Sequence, residues 1–143
     1  MKILLDIDGV LSPATSCKSS EMLEDGFYEF NQSSVDCLNE LIDKTKASIV
    51  LISSHRTTKT VEEWVEIFKN RNVIVNKFEK VNNKKDIDKV ASILNWFTKN
   101  EPKEFIIIDD DLKLSMLPKF IAEHIIYPKA SIGLTKEDLK NYL

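Results

Sequence analysis

The amino-acid sequence predicts an α/β fold in three layers, with one doubly wound sheet of five parallel strands and helices on both of its faces. Three observations carry this expectation. Short apolar runs alternate along the chain with stretches whose apolar residues recur at helical spacing. Strands that alternate with helices imply a parallel sheet covered on both sides. The runs are also nearly continuous, as expected of strands buried on both faces. The 143 residues suit one domain with one core, and no internal repeat or domain boundary divides residues 1–143.

Taken in order, Ile3-Leu4-Leu5 is the first strand and runs into Asp6-Ile7-Asp8-Gly9. Residues 12–30 are mostly polar, with Pro13, a serine-rich patch and Gly26, and read as an irregular flap or hairpin. Ser33 or Ser34 is placed to cap the first helix, in which Val35, Leu38, Leu41 and Ile42 share a face. Ile49 to Ile52 is the second strand and ends in Ser53-Ser54-His55-Arg56. A second helix over Thr60–Asn70 places Val61, Trp64, Val65 and Phe68 together. Val73-Ile74-Val75 is the expected third strand, followed by a lysine-rich connection from Lys80 to Lys85. The third helix runs from about Asp86 to Lys99, with Val90, Leu94 and Phe97 facing inward. Trp64 and Trp96 both sit among apolar neighbours at helical spacing and read as core. Phe105 to Ile108 is the fourth strand and ends in Asp109-Asp110-Asp111. A short helix over Leu117–Glu123, a fifth strand over His124–Tyr127 and a last helix over Lys136–Leu143, capped by Thr135, complete the expectation.

Hydrophobic residues make up 43% and charged residues 30% of the chain, the balance of an ordinary globular protein. A formal net charge of −3 gives no general attraction to nucleic acid or acidic membranes. No apolar run approaches the ~20 residues of a membrane helix, and Asp6 interrupts the N-terminus too early for a signal-peptide apolar region, so the chain reads as cytoplasmic. Cys17 and Cys37 have neither metal-ligand spacing nor a C-x-x-C pattern. The only arginines are Arg56 and Arg71, so neither cysteine has the phosphate-gripping arginine that a cysteine-dependent phosphatase needs just after its nucleophile.

Position suggests the chemistry. Three apolar strands end in polar clusters: Asp6 and Asp8, Ser53 to Arg56, and Asp109 to Asp111. In an open α/β sheet, ligands bind outside the carboxyl ends of the strands, which puts all three clusters on one edge. Several carboxylates at one spot repel each other unless a cation sits among them. Without cysteine ligands that cation should be hard, and Mg²⁺ fits. The Ser53 hydroxyl is placed to bond a phosphate oxygen, and a lysine to neutralise remaining charge. A carboxylate nucleophile forms an aspartyl-phosphate, and a second carboxylate two residues on can protonate the leaving oxygen and later activate water. Gly9 permits the turn that follows.

These residues resemble the haloacid dehalogenase (HAD) phosphohydrolase superfamily, whose D-x-D-G-[VT]-L motif stands here as Asp6-Ile7-Asp8-Gly9-Val10-Leu11. Its apolar strand ending in Ser or Thr matches Ile49–Ile52 with Ser53, and its strand ending in paired acids matches Phe105–Ile108 with Asp109-Asp110. The resemblance implies a Mg²⁺-dependent phosphatase with Asp6 as nucleophile and metal ligand. Asp8 is then the acid/base, and also a ligand through its carbonyl. Asp110 is the third ligand with Asp109 orienting the shell, and these two can exchange roles. Ser53 would bind phosphate, with Ser54 its competitor and Arg56 open to a substrate-binding role, as is His55. For the motif lysine, Lys84, Lys85 and Lys89 all qualify. Lys89 is favoured because Lys89 to Phe97 resembles a stretch of small HAD domains, which also carry a Gly-Leu-Thr like Gly133-Leu134-Thr135. Some of those domains have been linked to RNA repair.

The segments that could hold a cap domain are short, so the chain reads as capless. An open site suits a phosphorylated macromolecular end, of nucleic acid or protein, or a partner subunit acting as lid. Two other readings compete. A phospho-receiver domain uses similar residues, but its acid pair comes at the first strand, and the order here is the reverse. A catalytically silent HAD-fold binding module would not need the full set of Asp6, Asp8, Ser53 and Asp110.

Overall fold

Ile3, Leu4 and Leu5 have no exposed surface, and the whole architecture is built outward from this run. In the computed structural model, residues 1–13, 22–81 and 88–143 are described. Five strands, β1 (Lys2–Leu5), β2 (Ser48–Leu51), β3 (Phe78–Lys80), β4 (Phe105–Ile108) and β5 (Ile125–Ile126), form one sheet in the order β3-β2-β1-β4-β5. All four pairings are parallel. The expected three-layer, five-stranded parallel fold without a cap domain is the one observed.

Side-chain alternation divides the core in two. Ile3, Leu5, Ile49, Leu51, Ile106 and Ile108 face one way and pack with residues of α1 (Gln32–Thr45) and α2 (Val61–Asn70). Leu4, Val50 and Ile107 face the other way and pack with residues of α3 (Lys89–Asn100) and α4 (Lys119–Ala122). Each strand is therefore apolar at every position, because successive side chains enter different cores. Trp64 and Trp96 are both buried, and their indole N–H groups donate to the Arg56 carbonyl and to Glu79. No described helix is long and apolar enough to cross a membrane.

Three sequence expectations are corrected. The third strand is Phe78–Lys80, not Val73–Val75. Val73 is buried, but its N–H bonds the Phe68 carbonyl at the end of α2, and the Ile74 N–H donates to the Asn39 side chain. This apolar run thus packs as a loop, and the polar segment after it pairs with β2. The cap of α1 is Asn31, whose side chain accepts from the Ser33 N–H, rather than Ser33 or Ser34. Ser34 instead lies fully buried and donates to the Leu134 carbonyl. After Thr135 the chain makes successive turns with i to i+3 bonds, not a helix, although Thr135 and Asp138 cap each other as expected of a helix start. The third helix, expected from about Asp86, is described from Lys89 with Asp88 as its cap, and Asp86 lies outside the described residues, as does Cys17. Cys37 is a buried free thiol.

The described part of the 12–30 segment is tied down by Arg71, which follows α2. Its guanidinium donates five hydrogen bonds, two to Asp25 and one each to the carbonyls of Phe27, Tyr28 and Ile67. Bonding to Arg71 holds the Asp25 carboxyl well below the usual range. Five donors in a rigid fork are used at once, which an ammonium cannot reproduce. Arg71→Ala should lower stability by about 3–5 kcal/mol, the usual result of removing one partner of a buried ion pair. Arg71→Lys should recover less than half of that loss. Urea unfolding of the three proteins checks both expectations.

Candidate active site

The ladder register builds the site. Leu5 is level with Leu51 and with Ile108, so the residues after β1, β2 and β4 emerge together at one edge. The Asp6 N–H still bonds the Ile108 carbonyl (3.0 Å), and the Asp109 N–H bonds that of Ile126 (3.1 Å). Beyond Asp6 the chain coils on one acceptor, the Ile7 carbonyl, which receives the N–H groups of Val10, Leu11 and Ser12. Gly9 makes this possible with φ +80°, and a Cβ there would lie 2.5 Å from the Asp110 carboxylate. The first loop and the Asp109-Asp110 loop can approach so closely only because residue 9 has no side chain.

Carboxylate oxygens of Asp6, Asp109 and Asp110 lie within 4.8 Å of one another. Lys89 is the first residue of α3, which Asp88 caps through the Ala91 N–H. Its ammonium lies 2.8 Å from Asp109 and 3.6 Å from Asp6. Asp109 is fully buried and also accepts from the Asp111 N–H, whereas Asp110 is half-buried. Lys84 and Lys85 lie outside the described residues. Asp6, Asp8, Ser54, Lys89, Asp110 and Lys113 line an open cavity of about 550 Å³.

Not every expected site residue reaches that cavity. Ser53 is fully buried, and its hydroxyl accepts the His55 N–H at the start of a short 3-10 helix, Ser54–Thr58. Ser54 stands on the cavity wall in its place. The Arg56 guanidinium is buried, donating to the Ser53 carbonyl and the Ser92 hydroxyl, and it is not among the cavity residues. Lys113 had no sequence signal, and His55, open to a substrate-binding role in the sequence, had none for its contact with Asp8. Lys113 lines the wall from a 3-10 helix over Leu112–Met116, and His55 Nε2 lies 2.9 Å from Asp8 Oδ2. His55 is 47 residues from Asp8, and no spacing rule connects them.

Electrostatics sharpen the picture. Burial first, then the neighbouring Asp109 charge, push the Asp6 carboxyl up to about 8, against the pull of Lys89. Burial and Asp109 also raise Asp110. The hydrogen bond from His55 lowers Asp8, and the same bond raises His55. For Lys89, burial disfavours the charge but Asp6 and Asp109 outweigh it and raise its pKa. One lysine thus does not fully compensate these acids, and an all-carboxylate set fits a hard divalent cation.

The fold and the acid-lined strand ends define a HAD-like hydrolase domain without a cap. More narrowly, the chain belongs to the family described as the HAD domain in Swiss Army Knife RNA repair proteins, whose model matches residues 2–139. That membership points to function of the phosphohydrolase type. No curated protein matches the chain significantly.

The Asp6 shift sets a pH dependence with a definite sign. Unfolded, Asp6 releases its proton near 3.8, while the folded metal-free protein keeps it until about 8. Stability should therefore be greatest below about pH 4 with respect to this group and fall as pH rises towards about 8. Asp110, also raised, adds a term of the same sign. In thermal unfolding with EDTA, wild type should lose more stability between about pH 5 and pH 8 than Asp6→Asn does.

Proposed function

We propose that this protein is a Mg²⁺-dependent phosphatase that acts through an aspartyl-phosphate on Asp6. The observation that carries the reading is the grouping of Asp6, Asp109 and Asp110 within 4.8 Å, with Lys89 against two of them. Asp6 and Asp110 would hold the cation with the Asp8 carbonyl, and Asp109 would orient the shell through its bond to Lys89. When bound, Mg²⁺ supplies charge that keeps Asp6 ionised and draws phosphate oxygens to the site.

The remaining chemistry belongs to the chain. A phosphate monoester enters the open cavity, where Ser54, Lys89 and Lys113 offer a hydroxyl and two ammonium groups for its oxygens. An Asp6 oxygen attacks phosphorus in line with the ester oxygen. As that P–O bond breaks, Asp8, protonated before the step although the His55 bond favours its carboxylate, gives that proton to the departing oxygen. Asp8 then takes a proton from water, the water oxygen attacks phosphorus, and Asp6 leaves as a free carboxylate. Lys89 offsets the charge on Asp6 and Asp109 when the dianionic phosphate approaches. Arg56 acts at one remove by tying the Ser53 carbonyl to Ser92 of α3, the helix that carries Lys89.

The matched family is described from RNA repair proteins. An open cavity with two lysines suits a terminal phosphate on an RNA strand, and that is the substrate class we propose. Membership in a HAD family speaks against the phospho-receiver reading. A silent binding module would show no turnover at all.

Phosphate release should require Mg²⁺ and stop with EDTA. Asp6→Asn should reduce it by at least about 10³-fold with the fold retained, since it removes the nucleophile. Near wild-type release from Asp6→Asn would exclude the reading. Asp8→Asn should let some phosphoenzyme form from p-nitrophenyl phosphate but block its hydrolysis, which acid-quench labelling detects. Release from 5′- or 3′-phosphorylated oligoribonucleotides, compared with phosphopeptides and sugar phosphates, tests the substrate class.

A further inference from the structure

His55 takes no part in the chemistry above, yet it touches the group that moves the proton. Its Nε2 lies 2.9 Å from Asp8 Oδ2, and the Asp8 side chain is 56% exposed. A carboxylate so exposed, just before the turn at Gly9, has free rotation unless something holds it.

The imidazole is held firmly enough to do this. The His55 N–H donates to the Ser53 hydroxyl (3.1 Å), and its carbonyl accepts from the Thr58 hydroxyl (2.7 Å), so the backbone is fixed on both sides. The ring stands edge-on to Phe27, with centroids 5.3 Å apart and planes at 79°. Phe27 is buried and packs edge-on against Trp64 in turn. The Phe27 carbonyl and Asp25 are both gripped by Arg71. Rigid support therefore runs from α2 through the 22–30 segment to the imidazole.

We propose that His55 is the positioning residue of the acid/base: its Nε2–H fixes Asp8 Oδ2 and leaves Oδ1 to face the ester oxygen in the cavity. This rests on the phosphatase reading of Asp6 and Asp8. The hydrogen bond ties the Asp8 side chain to the second-strand loop, and Asp8 is not one of the three acids whose oxygens group within 4.8 Å. A carboxylate that swung into that group would add a fourth negative charge to it.

A positioning role predicts a loss that depends on the leaving group. Phenolate leaves poorly and needs the Asp8 proton, whereas p-nitrophenolate needs it much less. At saturating Mg²⁺, His55→Ala should lower kcat/KM for phenyl phosphate by about tenfold or more, and for p-nitrophenyl phosphate by about threefold at most. His55→Gln, which offers an N–H near the Nε2 position, should restore most of the phenyl phosphate activity. The half-saturating Mg²⁺ concentration should not change. Equal losses on both esters would overturn the proposal, as would His55→Gln behaving like His55→Ala. Asp6→Asn, assayed alongside, separates the two levels: if it keeps turnover, the phosphatase reading fails and takes this proposal with it. If turnover is lost in Asp6→Asn while His55→Ala is like wild type, only the proposal fails. A readout independent of turnover is the ¹H–¹⁵N signal of His55 Nε2, which should shift between wild type and Asp8→Ala. An unmoved signal would show that the hydrogen bond is absent.

Discussion

Carboxylate repulsion at the edge of β1 and β4 is the constraint around which the rest of the molecule is arranged. Three acids share a space 4.8 Å across, and Lys89 reaches two of them. The strand order reverses here: the chain proceeds from β1 to β2 and β3 on one side and to β4 and β5 on the other. Such a switch point leaves a crevice outside the strand ends, with loops diverging to either side. Two acid-bearing loops can close on the crevice because Gly9 leaves room for the Asp110 carboxylate. The compensating cation comes from a third element, α3, whose start is fixed by the Asp88 cap. A shift of any of these pieces by an ångström would separate Lys89 from Asp109 and leave a fully buried carboxylate without its ion pair.

Both arginines of the chain help to hold this arrangement. Arg56 links the end of β2 to Ser92 of α3, so the loop bearing Ser54 and the helix bearing Lys89 are fastened to each other. Arg71 fastens the 22–30 segment to the end of α2. Burial of a guanidinium is costly unless its donors are met, and for Arg71 all five hydrogen bonds fall within the protein. Among the described residues, the positive charge lining the cavity comes from Lys89 and Lys113. A lysine is a compact charge on a flexible stem, suited to following phosphate oxygens as their geometry changes. Behind the first loop, the Leu134 N–H donates to the Val10 carbonyl, and Gly133 lets that contact form without a clash against Ser34.

Much of this was legible in the sequence, for a physical reason. The strands that carry Asp6, Ser53 and Asp109 are central, so both of their faces are buried and they read as unbroken apolar runs. The strand that was misplaced is at the edge. Phe78-Glu79-Lys80 is half-buried throughout, with Lys80 donating to two backbone carbonyls and Glu79 accepting from Trp96. Such a strand has no apolar signature, while Val73-Ile74-Val75 has one and spends it on a loop. Side-chain placement was legible only where local spacing sets it. Asp6 and Asp8 follow from their position at a strand end. Which of Ser53 and Ser54 meets the cavity depends on the turn into a 3-10 helix, and the partner of Asp8 lies across the site on another loop. Those facts belong to tertiary packing, and a single sequence does not encode them in any periodic form.

Asp6 shows why such a site is unstable alone. A nucleophilic carboxylate gains from losing its water shell, and Asp6 is nearly buried. The same burial, beside Asp109, makes the ionised form unfavourable at neutral pH. The group therefore holds its proton more tightly when the site holds no cation, and a protonated carboxyl is a poor nucleophile. A cation bound at this cluster would favour release of that proton, so metal affinity, the charge state of Asp6 and stability would be linked. The cluster breaks the rule that buried like charges are avoided, and it does so at the point where chemistry is proposed. Local rules are most often broken where a protein functions, because only there does a second component complete the arrangement.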